Sequence, residues 1–413
     1  MELLYILLIL LVVTRACSEL AVRMNQPALV GELLGGVLIG AVIALGFDAS
    51  DAIAQLDEDE TFQAVLDLAV FFLMLLAGIE MRPGDLARAT GRAVPIALAG
   101  MLLPLALGFG LGWWWLPESD WKVAQSLFIG VALAITAVPV AVKVLVDLGQ
   151  LQTRIGQVVI AAAVIDDVLS LILLAVLTSL ITAGESVTAG SLLRIALNVA
   201  GFFAVAWVAG RYVLPRVGRQ VRRLATEHAD FSLLIIFGLA LSVLAEWLDM
   251  HFLIGAFAAG VLFTRNVVGE DTHEKLESQT EAVTLGFLAP VFFASIGIHL
   301  NTDAILQAPL FLVVLLLAAT VGKLAGSGIA ARLAGFSGRE SLAIGSAMNA
   351  RGAVEIIIAD IALRAGLFQH PDPPPPAIDY LFSAIVIMAI VTTLMTPLSL
   401  RRLLSRGLDG GGR

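Results

Sequence analysis

The chain has 413 residues, of which 59% are hydrophobic and 14% charged, with a formal net charge of −9 and a mean hydropathy of +0.94. A soluble protein carries about one quarter charged residues, so an ordinary soluble enzyme is excluded and no nucleic-acid partner is expected. The single cysteine, Cys17, rules out an intramolecular disulfide and a cysteine-based metal site.

Apolar runs recur from end to end, each about 20 residues long, the length needed to cross about 30 Å of hydrocarbon as a helix. About thirteen spans are predicted, at roughly 3–22, 28–47, 62–80, 92–116, 124–146, 155–182, 191–214, 230–249, 252–266, 280–299, 306–331, 339–365 and 378–399. The fold expected is an all-α polytopic membrane protein. The apolar start, Met1 to Val13, lacks the basic segment of a signal peptide and runs on through Val22, so it reads as the first span.

Basic residues test the count. Alternate connections hold Arg23, Arg82, Arg88, Arg92, Arg154, Arg216, Arg219, Arg222, Arg223, Arg265, Lys275, Arg332, Arg339, Arg401, Arg402 and Arg406. The other set holds Lys122, almost nothing else basic, and the acidic stretch Asp48 to Glu60. Positive charge marks the cytoplasmic side, which predicts an outside N-terminus and a cytoplasmic C-terminus in an inner (plasma) membrane. Trp113, Trp114 and Trp115 then fall at the outer end of the fourth span, where aromatic side chains anchor a helix.

An internal repeat is visible. LVGELLGGVL, Leu29 to Leu38, aligns without gaps on LIGAFAAGVL, Leu253 to Leu262; FLMLLAGIEM, Phe72 to Met81, echoes VFFASIGIHL, Val291 to Leu300. Both matches pair a span with the one seven later. Seven is odd, so partners cross the bilayer in opposite senses, the inverted-topology arrangement of many secondary transporters. The halves expected are about 1–182 and 230–399, joined by a linker helix at 191–214, within an exchanger domain covering 1–400 and followed by a short tail, 401–413.

The repeat pairs the fifth span with the twelfth. The fifth carries Thr136, Ala137, Val138 and Pro139 in mid-membrane, and the twelfth carries Asn349, Ala350, Arg351 and Gly352. Proline removes a backbone donor, and the second stretch is too polar to face lipid. Two interrupted helices at corresponding positions of the halves point to a transport site.

Ionisable residues deep in the bilayer are few: Asp166, Asp167, Lys323, Arg351, Glu355 and, nearer span ends, Asp360 and Glu246. Each costs at least about 3 kcal/mol at the membrane centre. Asp166 and Asp167 point about 100° apart on one helix. Close carboxylates do not ionise independently; such a pair binds a proton or a metal cation, in turn. Lys323 needs a carboxylate partner, and the doublet supplies one. Arg351 and Glu355, four apart, either pair with each other or meet the ion. An intramembrane aspartyl protease needs its acids facing across one bond, which adjacent residues do not do. A channel would expose a continuous pore, and the retention of both acids and Lys323 speaks against a sensor that has lost transport.

Four stretches, PALVGELLGGVLIG, VIDDVLSL, TVGKLAG and MNARGAVEIIIADIALRAGL, together resemble the sodium/proton exchanger domain of the second monovalent cation:proton antiporter family. The resemblance covers essentially the whole chain. It implies a homodimer with a dimerisation domain and a mobile core in which two broken helices cross beside the aspartates. It implies Asp167 as the main proton and cation carboxylate, Asp166 as the partner of Lys323, and Thr136 beside the site. Lys323, Asn349, Arg351 and Glu355 are the supporting residues. Members with paired aspartates are commonly electrogenic. Here Ala353 follows the Arg-Gly pair and the acid is Glu355, as in plant-type relatives that often handle potassium, which keeps potassium open beside the favoured sodium. A glutathione-gated efflux system is not expected, because no regulatory domain follows. The function expected is proton exchange for a monovalent cation by alternating access, with no cofactor and no enzyme chemistry.

Overall fold

The structure is a computed structural model that describes residues 2–24, 26–44, 59–81, 91–136, 141–142, 145, 150, 153–183, 189–221, 228–248 and 250–405. Val138, Pro139, most of the acidic stretch and the glycine-rich tail lie outside the described residues. Hydrocarbon offers no partner for backbone N–H and C=O groups, so a chain this apolar must satisfy them within helices. The described residues are accordingly helical, with no strand.

The helices are α1 Glu2–Arg23, α2 Ala28–Ala44, α3 Glu60–Glu80, α4 Ala93–Trp115, α5 Lys122–Ala134, α6 Arg154–Ala183, α7 Ala189–Val208, α8 Leu214–Val221, α9 Ala229–Trp247, α10 Phe252–Leu262, α11 Glu270–Val283, α12 Ala289–Ile298, α13 Pro309–Leu333, α14 Gly338–Ala347, α15 Ala353–Arg364 and α16 Leu381–Ser405. Nine stretches among the described residues are long and apolar enough to span a bilayer, and α2, α5 and α10 are shorter apolar helices. This is a multi-pass membrane protein. One expectation changes: the tenth span begins at Glu270, not near 280, because the polar run EDTHEKLESQTE is helical and joins α12 through a π-helical turn, Thr284–Leu288. The twelfth span is interrupted where its polar stretch predicts, giving the half-helices α14 and α15.

The chain divides into two compact units. The first comprises Met1–Cys17, Glu32–Pro83 and Val187–Ile298. Its α3 starts at Asp59, whose Oδ1 accepts from the N–H groups of Thr61 at 2.8 Å and Phe62 at 3.3 Å. Those two bonds hold the Asp59 carboxyl below its ordinary range. The π-helical turn is tied to α1 by Arg15, which donates to the Leu285 carbonyl and lies 3.7 Å from Glu32.

Two helix crossings in this unit share one geometry. A Cβ at Gly36 would collide with the Ala294 carbonyl and one at Gly297 with that of Leu33; one at Gly78 would collide with the Phe257 carbonyl and one at Gly260 with that of Leu75. In every case the obstructing oxygen lies three residues before the partner glycine. The sequence correspondence maps Gly36 onto Gly260 and Gly78 onto Gly297, so it exchanges one crossing for the other.

The second unit comprises Ser18–Gly31, Gly84–Ser186 and His299–Arg413. Here α4 is the spacer that sets the site. Its Gly108 would place a Cβ 2.7 Å from the Gly130 Cα of α5. On α13, a Cβ at Gly322 would sit 3.0 Å from the Pro104 Cα of α4, and one at Gly326 would strike the Ala99 carbonyl. Small residues let helices approach closely in lipid, where dispersion and hydrogen bonds drive association. The close approach brings Lys323, one residue beyond Gly322, to the end of α5.

Gly78→Ala and Gly297→Ala should each lose about 1–3 kcal/mol by overpacking, read as a lower unfolding temperature in detergent. Gly201→Ala, whose Cβ meets nothing within 4 Å, should leave that temperature unchanged or higher.

Candidate cation and proton site

Asp166, in the body of α6, and Lys323, in the body of α13, are both fully buried, and Lys323 Nζ lies 3.3 Å from Asp166 Oδ2. Lys323 therefore does not reach a membrane interface: its side chain is 0% exposed and meets the carboxylate inside the protein. The ammonium also donates to Thr136 Oγ1 at 2.6 Å, and Thr136 donates onward to the Met348 carbonyl at 3.1 Å. Thr136 lies just past the end of α5, and Met348 lies just past the end of α14. One hydroxyl therefore joins the lysine to both interrupted segments. Asp166 Oδ1 has no hydrogen-bond partner among the described residues. Asp167 is partly buried and points about 100° around the helix from Asp166.

The interruption of α5 has its own physics. Its last carbonyls form the negative end of a helix dipole and lack intrahelical donors. Arg351 supplies them. Nη1 donates to Ala132 at 2.7 Å and Ile135 at 2.5 Å, and Nη2 donates to Leu133 at 2.6 Å. Arg351 lies in the stretch 348–352 that separates α14 from α15, so a charge from one broken helix caps the other. Its backbone carbonyl accepts from Thr393 Oγ1 of α16 at 2.9 Å. Ser346 and Ser399 bond each other and tie α14 to α16 as well. At the start of α5, Gln125 donates to the carbonyls of Leu367 at 2.9 Å and His370 at 2.7 Å, beyond α15. The interrupted segments are thus held by hydrogen bonds at both ends.

The structure brings Thr136, Asp166 and Lys323 into one hydrogen-bonded chain and sets Arg351 3.8 Å from Glu355, Nε to Oε2. Asn349 is buried in the same interruption, its Oδ1 without a hydrogen-bond partner. Asp360 is taken by Arg364 at 2.9 Å, and Glu246 is exposed at the end of α9. Sequence reasoning missed Thr393 and the carbonyl cap made by Arg351. The adjacent threonines Thr392 and Thr393 inside an apolar span were the available signal for the first. The second had none, since Arg351 reaches carbonyls more than two hundred residues earlier.

Asp166 Oδ1 and Asn349 Oδ1 are thus buried oxygens beside the interrupted helices without a hydrogen-bond partner among the described residues. Residues 6–406 match the family described as sodium/hydrogen exchanger, transmembrane, and the chain belongs to that family. It is a secondary transporter and not an enzyme. The chain is 31% identical to the Na(+)/H(+)-K(+) antiporter GerN of Bacillus cereus, over 94% of this chain and 93% of that one. It is 29% identical to a Na(+)/H(+) antiporter of Enterococcus hirae, over 97% and 98%. The fold is similar to the sodium proton antiporter MjNhaP1 of Methanocaldococcus jannaschii, with a TM-score of 0.72, 18% identity and 98% of each chain covered.

Removing one member of a buried ion pair strands the other charge, at about 3–5 kcal/mol. Asp166→Ala should therefore destabilise the protein by that amount in denaturant titration. The double change Asp166→Leu with Lys323→Met should recover most of the loss. Thr393→Val, which leaves one carbonyl without its donor, should cost about 1–3 kcal/mol.

Proposed function

We propose that this protein exchanges protons for a monovalent cation, with sodium favoured and potassium accepted, by alternating access across an inner (plasma) membrane. The observation that carries the reading is the fully buried Asp166–Lys323 pair hydrogen-bonded through Thr136 to both interrupted helices. Charge balance says what the seat accepts. Asp166 and Glu355 offset Lys323 and Arg351, all four buried, and Asp167 leaves one negative charge in excess. A monovalent cation compensates that excess, and protonation removes it. Moving the bare anionic site through lipid is costly, so occupancy gates the movement.

In this cycle Asp167 is the main carboxylate and Asp166 is the partner of Lys323, with Thr136 at the break as a further ligand. Protons arriving on the opposite side displace the cation. Asn349, Arg351 and Glu355 support the broken helices. The paired glycine crossings support two inverted repeats in a thirteen-span chain, and the division into two compact units supports a mobile core and a dimerisation domain in a homodimer. The N-terminus lies outside and the C-terminus in the cytoplasm, by charge distribution. Potassium stays within the reading because GerN is a Na(+)/H(+)-K(+) antiporter.

The test is reconstitution in liposomes with a lumenal pH dye. Addition of sodium or potassium should change lumenal pH for the parent, and Asp167→Asn should lose at least about tenfold in rate, the loss of more than about 1.4 kcal/mol of transition-state stabilisation. Exchange by Asp167→Asn equal to that of the parent would show that the site is assigned wrongly.

A further inference from the structure

Glu355 differs from the other buried acids. It is fully buried, and neither Oε1 nor Oε2 has a hydrogen-bond partner among the described residues. Asp166 has Lys323, and Asp360 has Arg364 at 2.9 Å. The neighbour of Glu355 is Arg351, and that guanidinium has both terminal nitrogens committed to the carbonyls of Ala132, Leu133 and Ile135. Only Nε faces the carboxylate, at 3.8 Å, beyond hydrogen-bonding distance.

Glu355 also occupies the first turn of α15, where a carboxylate ordinarily caps backbone N–H groups; it makes no such bond. An ionised carboxylate with no donor aimed at either oxygen is poorly held in a dry interior. The neutral acid is not so penalised. The adjacent guanidinium disfavours a metal cation there and leaves the proton as the occupant.

The groups around Glu355 come from every element packed on α15. α5 presents carbonyls held by Arg351, with its lysine, Lys122, at the far end. α6 carries Asp166 and Asp167, and α16 carries hydroxyls, with its arginines at its last turns. Lys323 of α13 acts on Glu355 through its charge.

We propose that Glu355 is a second proton-binding carboxyl of the transport cycle, loaded with the proton that Asp167 does not carry. The inference rests on the antiport reading and adds a charge consequence to it. One cation exchanged for one proton at Asp167 moves no net charge. With Glu355 also protonated, the proton-loaded protein carries one positive charge more than the cation-loaded one, and turnover becomes electrogenic. The proton enters from the solvent on one side and leaves to the other, and no other group changes.

The experiment is current recording from proteoliposomes on a solid-supported membrane, run beside the lumenal-pH assay. The parent should exchange and carry current; Glu355→Gln should exchange with the current abolished, and Asp167→Asn should do neither. A parent that exchanges without current, or a Glu355→Gln protein that moves the same charge per cation, overturns the role of Glu355 and leaves antiport intact. A parent that exchanges nothing overturns antiport itself. Should Glu355→Gln fail to fold, Glu355→Asp decides: a current whose pH midpoint is displaced from that of the parent supports the assignment, and an unmoved midpoint overturns it.

Discussion

A lysine and an aspartate, both sealed from solvent, hold the centre of this molecule together. Each charge alone would be costly in an apolar interior, and the attraction between them offsets the cost only while they stay close. The surrounding helices are built to keep them close. Glycines on α4, α5 and α13 remove the side chains that would hold those helices apart, and Lys323 follows one of those glycines directly. The pair is therefore stable only while it stays closed.

Interrupting a membrane helix exposes carbonyls that lipid does not satisfy. The protein answers with side chains from elsewhere in the same unit. Arg351 covers the end of α5, Thr136 covers Met348, and Thr393 covers Arg351 itself. Because each cap comes from a different segment, the two interruptions are joined by hydrogen bonds. A shift at Lys323 is felt by Thr136, and through it by the end of α14. In the proposed cycle, that linkage would carry occupancy of one carboxylate to the interrupted backbone.

Much of this was legible in the sequence. Hydropathy located the spans because bilayer thickness fixes their length, and Asp166, Asp167 and Lys323 stood out because charge is rare there. Asn349 to Gly352 announced an interrupted helix by polarity alone. Other features were hidden for definite reasons. The run Glu270 to Val283 looked like a loop because it is polar, yet it is helical and continues into α12. The spacing of Arg351 and Glu355 suggested a simple pair, whereas the guanidinium spends its strongest bonds on α5. Such long-range partners are set by packing, which no local pattern encodes. The glycine crossings sit between: the likeness of the two pairs of stretches was visible in the letters, but the exchange of one crossing for the other required coordinates.

The chemistry that follows is competition. In the proposed cycle, a carboxylate seat in an interrupted core takes a proton or a metal cation in turn, and the protein moves when the seat is occupied. Proton release on cation binding tests this most directly, because it needs neither a gradient nor a membrane. The purified protein is titrated with sodium or potassium by calorimetry, in buffers of different ionisation enthalpy at one pH. The account predicts an apparent binding enthalpy that varies with the buffer, as displaced protons are taken up. An enthalpy that is the same in every buffer, with cation binding intact, would contradict it.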